Sequence, residues 1–481
     1  MALGDVLLAK NLLDRNQLDL ALERQKVAGG LLGDNLVALG LITREKLEAV
    51  LQEPPPIPKS MRDTGLDFTF LINSVLKSIY VSGFQTVLEL SNHTKLPRGI
   101  VEELLQVLKK DGLVDVRGAA DVNFTVLRHA LTSAGRERAI EALKQSQYNG
   151  PVPVPLPEYQ LQVQKQTITN ERIHADDLAR VLSHLVLPKD TLRWLGPTIN
   201  SGKAILFYGA SGNGKTSIAE AAGHTFRQAI YIPYCIEVDG QIIKIFDAAV
   251  HREVLSQTNS GGDTKQIYLP PVDFDPRWVR CRRPVIIAGG ELTLEMLDLD
   301  FDPLSKYYEA PVHVKATGGI FVIDDFGRQL VRPRDLLNRW IVPLERKVDY
   351  LTLHTGKKFD LPFDELVIFS TNLPPEELMD PAFLRRIHYK LRVDPPTVED
   401  YKAIFRRICN LHKLELPEEI LSYVLNFFYP KNRTPLAAFH PKFIVEHAIA
   451  ACNYEGIPPR LTYDLVSDAL QNLVITETPS P

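Results

Sequence analysis

The sequence predicts an α/β fold for the larger part of the chain, and three observations carry that expectation. The apolar run Ala204 to Tyr208 stands directly before a Gly-rich stretch, Gly209 to Thr216, that reads G-A-S-G-N-G-K-T. A second run, Ile320 to Ile323, ends in the carboxylates Asp324 and Asp325, and a third, Leu366 to Phe369, ends in Ser370-Thr371-Asn372. Short, wholly apolar runs of this kind form buried parallel strands, and open α/β sheets collect their ligands at the C-terminal ends of such strands. Two smaller domains are expected before this part and a small helical unit after it.

At the N-terminus Leu3-Gly4-Asp5 recurs as Leu32-Gly33-Asp34, 29 positions on, and the match continues through Leu7/Leu36, Leu12/Leu41, Leu18/Leu47 and Leu22/Leu51. Each unit reads as two short helices, which makes residues 1–53 an all-α repeat domain. The repeat resembles the N-terminal domain of type II secretion and type IV pilus assembly ATPases, in which paired motifs bind cyclic di-GMP. Lys26 to Gly30 stands where those motifs have their spacer. The arginine that opens each motif is replaced here by Ala2 and Leu31, and the closing glutamine is kept as Gln25 but becomes Pro54 in the second unit. A bidentate contact to guanine or phosphate needs a planar cationic fork. A protein-docking role is therefore expected in place of cyclic di-GMP binding.

The proline-rich stretch Gln52 to Pro58 reads as a semi-rigid linker. Helical spacing follows over residues 69–80, 86–91 and 97–110, with a strand at 113–116, an order that resembles a winged helix-turn-helix across residues 61–146. The third helix carries Arg98, Lys109 and Lys110 but also Glu102 and Glu103. Duplex DNA binding calls for a basic stripe, so protein contact is the expected role. A second proline-rich stretch, Gly150 to Pro157, opens a linker expected over residues 147–177.

In the Gly-rich loop the glycines Gly209, Gly212 and Gly214, with Ser211 and Asn213 between them, let backbone N–H groups turn toward a polyphosphate. Lys215 supplies charge for the terminal phosphates, the Thr216 hydroxyl can ligate Mg²⁺, and Ser217 opens an apolar helix. ATP and Mg²⁺ are thus the expected cofactors. Asp324 is expected to hold the metal, directly or through water, and Asp325 to polarise the attacking water. Asn372, at a strand tip beside the phosphates, can hold that water in place. Arg385 and Arg386 are the expected source of a finger that neutralises charge on a neighbouring subunit's nucleotide.

Residues 231–246 read as a hairpin about Asp239-Gly240, a type I′ turn signal, and Ser260-Gly261-Gly262-Asp263 as a mobile loop. After the arginine pair, helical apolar spacing runs through residues 398–411, 418–428, 441–451 and 462–474.

The order of these parts resembles the AAA+ ATPase family over residues 178–474: Walker A, Walker B, sensor 1, arginine finger and a helical lid. That resemblance implies a five-stranded parallel sheet with helices on both faces over 178–395 and a lid over 396–476. It also implies nucleotide bound between subunits, most often in a hexameric ring, with Gly289–Thr293 and Tyr307–Pro311 facing the pore. Lys442 then matches sensor 2, where the family usually has arginine, keeping the charge without the planar fork. The family's Walker B most often ends in Asp-Glu, whereas Asp325 has the shorter arm. The helicase-loader branch also carries Asp-Asp, so ATP hydrolysis remains the expectation.

The implied activity is a cytoplasmic homo-oligomeric ATPase that remodels or assembles a protein partner, with the secretion or pilus apparatus as its context. The rival is a DNA-associated regulator or helicase loader. With 55 basic and 59 acidic residues, no charge field demands nucleic acid, and no apolar run reaches membrane-spanning length. No signal peptide is read either. Cys235, Cys281, Cys409 and Cys452 lack metal-ligand spacing and read as reduced thiols.

Overall fold

The computed structural model describes residues 3–29, 32–51, 53–119, 127–187, 189–254, 273–378 and 381–473. At its centre is a parallel five-stranded sheet in the spatial order Tyr389–Arg392, Ile205–Tyr208, Leu366–Thr371, Ile320–Ile323 and Val285–Ala288. The register pairs Ile323 with Phe369 on one side and Ala288 on the other, and Thr371 with Tyr208, so the C-terminal ends share one edge. Ile320 to Ile323 are fully buried, and alternate residues feed different cores: Phe321 and Ile323 pack with Trp340 and Phe369, Ile320 and Val322 with Phe207 and Ile218. Both faces being covered is what makes these strands read as unbroken apolar runs. The helix Lys215–Gly223 lies close on one face, because a Cβ at Gly223 would come within 2.1 Å of Val285 Cγ2.

A second, mixed sheet runs in the order Asp300–Asp302, Tyr307–Glu309, Gln241–Lys244, Cys235–Val238 and Val154–Pro155. Two strand pairs, Ile230–Pro233 with Trp278–Cys281 and Val348–Thr352 with Lys358–Pro362, share its core of Val154, Tyr159, Ile236, Ile243, Tyr308, Leu351 and Leu361. The Asp239-Gly240 turn has φ of 53° and 77°, the two positive values that a type I′ hairpin requires.

This unit corrects the reading of residues 147–177 as a linker. Val152 and Val154 are buried, Val154–Pro155 forms the edge strand, and the helix Leu156–Lys165 follows at once. The physical reason is that a Val-Pro alternation holds the chain extended, and an edge strand tolerates the missing proline N–H. Arg277, 1% exposed, ties the unit together by donating to Asp275, Thr64 O and Pro153 O.

The N-terminal repeat is four helices, Leu3–Ala9, Arg15–Ala28, Leu32–Ala38 and Arg44–Leu51, around Leu7, Leu36, Leu47 and Val50. Its glycines have a shared purpose: a Cβ at Gly4 or Gly33 would meet Leu18 or Leu47, the leucine of the same unit, at 2.7 and 2.8 Å. Residues 68–119 and 127–145 form three helices, Phe68–Ser82, Val87–Thr94 and Arg98–Lys110, then the antiparallel pair Val114–Ala119 and Leu127–Leu131, then the helix Ser133–Gln145.

The C-terminal helical unit opens at Val398–Leu411, capped by the reciprocal Thr397 and Asp400 bonds, and continues through His440–Glu455 and Tyr463–Leu473. Among the described residues no helix is long and apolar enough to cross a membrane, and no group of His, Cys, Asp and Glu could hold a metal ion on its own. All four cysteines are buried and free. Ala2, Gly30, Leu31, Gln52 and the Ser260–Asp263 loop, on which sequence readings were placed, lie outside the described residues.

Candidate functional site

The Gly-rich loop joins the strand Ile205–Tyr208 to the helix Lys215–Gly223 at the C-terminal edge of the parallel sheet. Gly209, Gly212 and Gly214 have φ of 134°, 77° and 86°, a region that L side chains avoid. Their conformation leaves the helix N-terminus, with its unpaired N–H groups, facing a cavity of about 710 Å³. Ser211 to Ser217, Asp324, Asp325 and Asn372 line it.

These side chains are already joined. Lys215 Nζ donates to Gly209 O and Ala210 O at 2.9 Å each and to Asn372 Oδ1 at 2.5 Å. Asn372 Nδ2 donates in turn to Asp325 Oδ1 at 2.9 Å, and Thr216 Oγ1 donates to Asp324 Oδ2 at 2.8 Å. The sheet produces this convergence: Asp324 and Asp325 follow the strand Ile320–Ile323, and Asn372 follows its neighbour Leu366–Thr371. Phe326 N donates to Ser370 O and Thr371 Oγ1 to Phe326 O, which fixes the two strand tips against each other. Asp325 sits at φ 47°, in the left-handed region that aspartate enters more readily than most side chains. Burial pulls the Lys215 pKa down, and the Asp324 and Asp325 charges partly oppose it. A desolvated ammonium of this kind favours an anionic partner.

The residues fit Mg²⁺ and a polyphosphate. An octahedral cation with bonds of about 2.0–2.1 Å places adjacent oxygen ligands about 2.9 Å apart, and the Thr216 and Asp324 oxygens stand 2.8 Å apart. The Lys215 ammonium has three oxygen acceptors that phosphate oxygens can replace.

Lys442 lines the same cavity from the C-terminal helical unit, its side chain 67% exposed and 3.7 Å from Glu446. Arg385 and Arg386 do not line it. Arg386 is held by Glu345 at 2.5 Å, whereas Arg385 is exposed. Asn213 contributes to the cavity wall, but its side chain is turned to the C-terminal helical unit: Oδ1 accepts from Ala438 N at 3.3 Å and Nδ2 approaches Ala210 O at 3.4 Å. Beside it Gly212 O accepts from Phe439 N at 3.0 Å.

Sequence reasoning missed three contributors. The cavity's apolar end is walled by Leu185 to Leu187 on one side and by Ile404, Ile408 and Leu411 on the other, with Arg407 among them. The stripe 404, 407, 408, 411 is legible as one face of a helix, although its target is not. The third is Phe439, whose ring lies against Gly212.

Comparisons with known proteins add the following. Residues 397–472 match a family model described as a domain of unknown function, DUF8689. No curated protein matches the chain. Among solved structures, NtrX from Brucella abortus is similar with TM-score 0.37 and 15% identity, over 63% of this chain and 59% of that one. Domain III of the Thermotoga maritima replication initiation protein DnaA gives 0.34 and 12%, over 61% of this chain and 96% of that one. A Thermotoga maritima RuvB variant gives 0.31 and 12%, over 64% and 73%. These scores are low, and the functional reading rests on the site's own residues.

Proposed function

We propose that this chain is an ATP-hydrolysing AAA+ subunit that acts on a protein partner. The observation that carries the reading is the hydrogen-bonded chain Lys215–Asn372–Asp325 beside the Thr216–Asp324 pair, at the C-terminal edge of a parallel sheet. Lys215 and the backbone N–H groups of the loop bind the phosphates, and Thr216 with Asp324 would hold Mg²⁺, which would supply charge neutralisation for the transferring group. Asn372 orients the attacking water, and Asp325 accepts its proton. The carboxylate arm of Asp325 is one methylene shorter than glutamate, and the direct Asn372 contact at 2.9 Å keeps amide and carboxylate side by side, where both can bond one water beyond them.

The exposed Arg385 is the residue suited to reach a neighbouring subunit, in a homo-oligomer that the AAA+ resemblance makes a hexamer. The N-terminal repeat and residues 61–146 then serve as docking modules that choose the partner, with a secretion or pilus assembly as the context we favour. Lys215→Ala should abolish ATP binding, and Asp325→Asn should keep binding while stopping phosphate release. Equilibrium titration and steady-state phosphate release check both. Unchanged ATP affinity in Lys215→Ala would overturn the site, and wild-type turnover in Asp325→Asn would overturn the role of Asp325.

A further inference from the structure

A smaller cavity of about 250 Å³ lies where the helix Leu156–Lys165 and the strand pair Ile230–Pro233 and Trp278–Cys281 meet the N-terminal helix Arg44–Leu51. Four cations line it, Lys165, Arg227, Arg280 and Arg283, against the single exposed carboxylate of Glu48. Two of the four are matched. Arg227 pairs with Asp177 at 2.5 Å, and Arg283 pairs with Glu171 at 3.0 Å while donating to Gln166 O and Gly318 O.

Of the other two, one is unpaired and one is paired only loosely. Arg280 is exposed and forms no ion pair among the described residues. The Lys165 side chain is only 8% exposed, and its nearest carboxylate, Glu53, stands 3.9 Å away and is already held by Lys10 at 2.8 Å. No hydrogen bond from the Lys165 ammonium is formed among the described residues. Burial pushes its pKa down, Glu53 partly restores it and Lys10 lowers it again. An ammonium largely withdrawn from water, with its one carboxylate at 3.9 Å, gains from an added acceptor.

We propose that this cavity binds a phosphoryl dianion, inorganic phosphate or a small phosphate monoester, with Lys165 and Arg280 as its charge partners. A phosphoryl group brings close to two negative charges and three strong acceptor oxygens, which answers the unpaired Arg280, the loosely paired Lys165 and the remaining guanidinium N–H groups. A flat carboxylate answers fewer of them. The cavity is below the size of clefts that take drug-sized ligands, which suits a phosphoryl group with at most a small substituent. Because its walls come from the N-terminal repeat and from the core, an anion here would also strengthen the contact between them.

The test uses the full chain carrying Lys215→Ala, which removes the main cation of the other phosphate cradle. Calorimetric titration with inorganic phosphate, phenyl phosphate and malonate should give saturable one-to-one binding of the phosphoryl probes and weaker binding of malonate. Tighter phenyl phosphate than phosphate assigns the site to esters, and the reverse assigns it to the free ion. Arg280→Ser, at an exposed position that leaves the fold intact, should weaken phosphoryl binding by about tenfold or more, as loss of a charge-assisted hydrogen bond does. Lys165→Gln should do the same. Absence of saturable binding at millimolar phosphate, affinity unchanged by Arg280→Ser, or malonate bound as tightly as phosphate each overturns the proposal. Dependence on Arg280 also separates this outcome from any failure of the nucleotide-site reading.

Discussion

Gly212→Ala tests how the C-terminal helical unit is joined to the Gly-rich loop. A Cβ on Gly212 would sit 2.2 Å from Phe439 Cδ1 and 2.7 Å from Cε1, and φ is 77°. Carbon atoms rest at about 3.5–4.0 Å, so the ring must retreat by about 1.3 Å or the loop must yield. The left-handed backbone adds about 1–2 kcal/mol for a residue with a Cβ. Moving the ring strains the Phe439 N to Gly212 O bond at 3.0 Å and the Ala438 N to Asn213 Oδ1 bond at 3.3 Å, each worth about 1 kcal/mol. The sum is about 3 kcal/mol, or roughly two orders of magnitude in ATP affinity if the whole penalty falls on the binding-competent loop. Calorimetric titration of Gly212→Ala, Phe439→Ala and the double variant apportions it. The double variant should regain the steric part and keep the backbone part, leaving about a tenfold deficit. Wild-type affinity in Gly212→Ala, or a double variant no better than the single, would refute this account.

Three further outcomes are expected. Arg385→Ala should lower turnover in the assembled protein while leaving the melting temperature unchanged; Arg386→Ala, which frees Glu345, should lower the melting temperature, and calorimetry with phosphate release separates them. Arg277→Met should destabilise by about 3–5 kcal/mol in a denaturant titration, because Asp275, 2% exposed, is left as a buried charge; a loss below about 1 kcal/mol would contradict the role given to Arg277. His440, 7% exposed, has its pKa pushed down to about 4 by burial from an ordinary 6.5. Between those values the unfolded chain takes up a proton that the folded one refuses, so stability should fall by up to about 3 kcal/mol as pH drops from 6.5 to 4 and stay level above 6.5. In His440→Asn that acid limb should flatten, as followed by denaturant midpoints across pH.

The parts of the site legible in the sequence are those written contiguously. Eight residues from Gly209 to Thr216 specify a loop whose glycines each take positive φ where the motif places them. The pairs Asp324-Asp325 and Thr371-Asn372 announce themselves because each ends a fully apolar run. Their meeting depends on register, Ile323 against Phe369, which no single run contains. Beyond its Asp239-Gly240 hairpin, the mixed sheet is illegible for the same reason carried further. Val154–Pro155 pairs with Ile236 and Glu237, and Gln160 donates to Asp360 O at 2.9 Å, contacts between segments far apart in the chain. Prolines at 151, 153 and 155 are compatible with a solvated linker and with an edge strand alike. What decides between them is whether a second strand is present to bury Val152 and Val154.

The helical unit matched by the uncharacterised family model reaches the phosphate loop through backbone and core together. Phe439 and Ala438 bond the loop; the Nδ1 of the next residue, His440, lies 2.6 Å from Tyr429 Oη, which lies 2.9 Å from Tyr401 Oη in the helix Val398–Leu411. His440, Tyr429 and Tyr401 are all buried, so the chain of hydrogen bonds holds one geometry instead of exchanging with water. A displacement of Gly212 or Asn213 is therefore passed to the helix that carries Ile404, Arg407, Ile408 and Leu411 into the cavity. Tyr429→Phe isolates this route, since it removes the hydroxyl that joins His440 to Tyr401 without touching the loop. Nucleotide affinity should change little, while amide-exchange protection of residues 398–411 on adding ATP should weaken; protection equal to that of the unaltered chain would show that the lid follows the loop by another path.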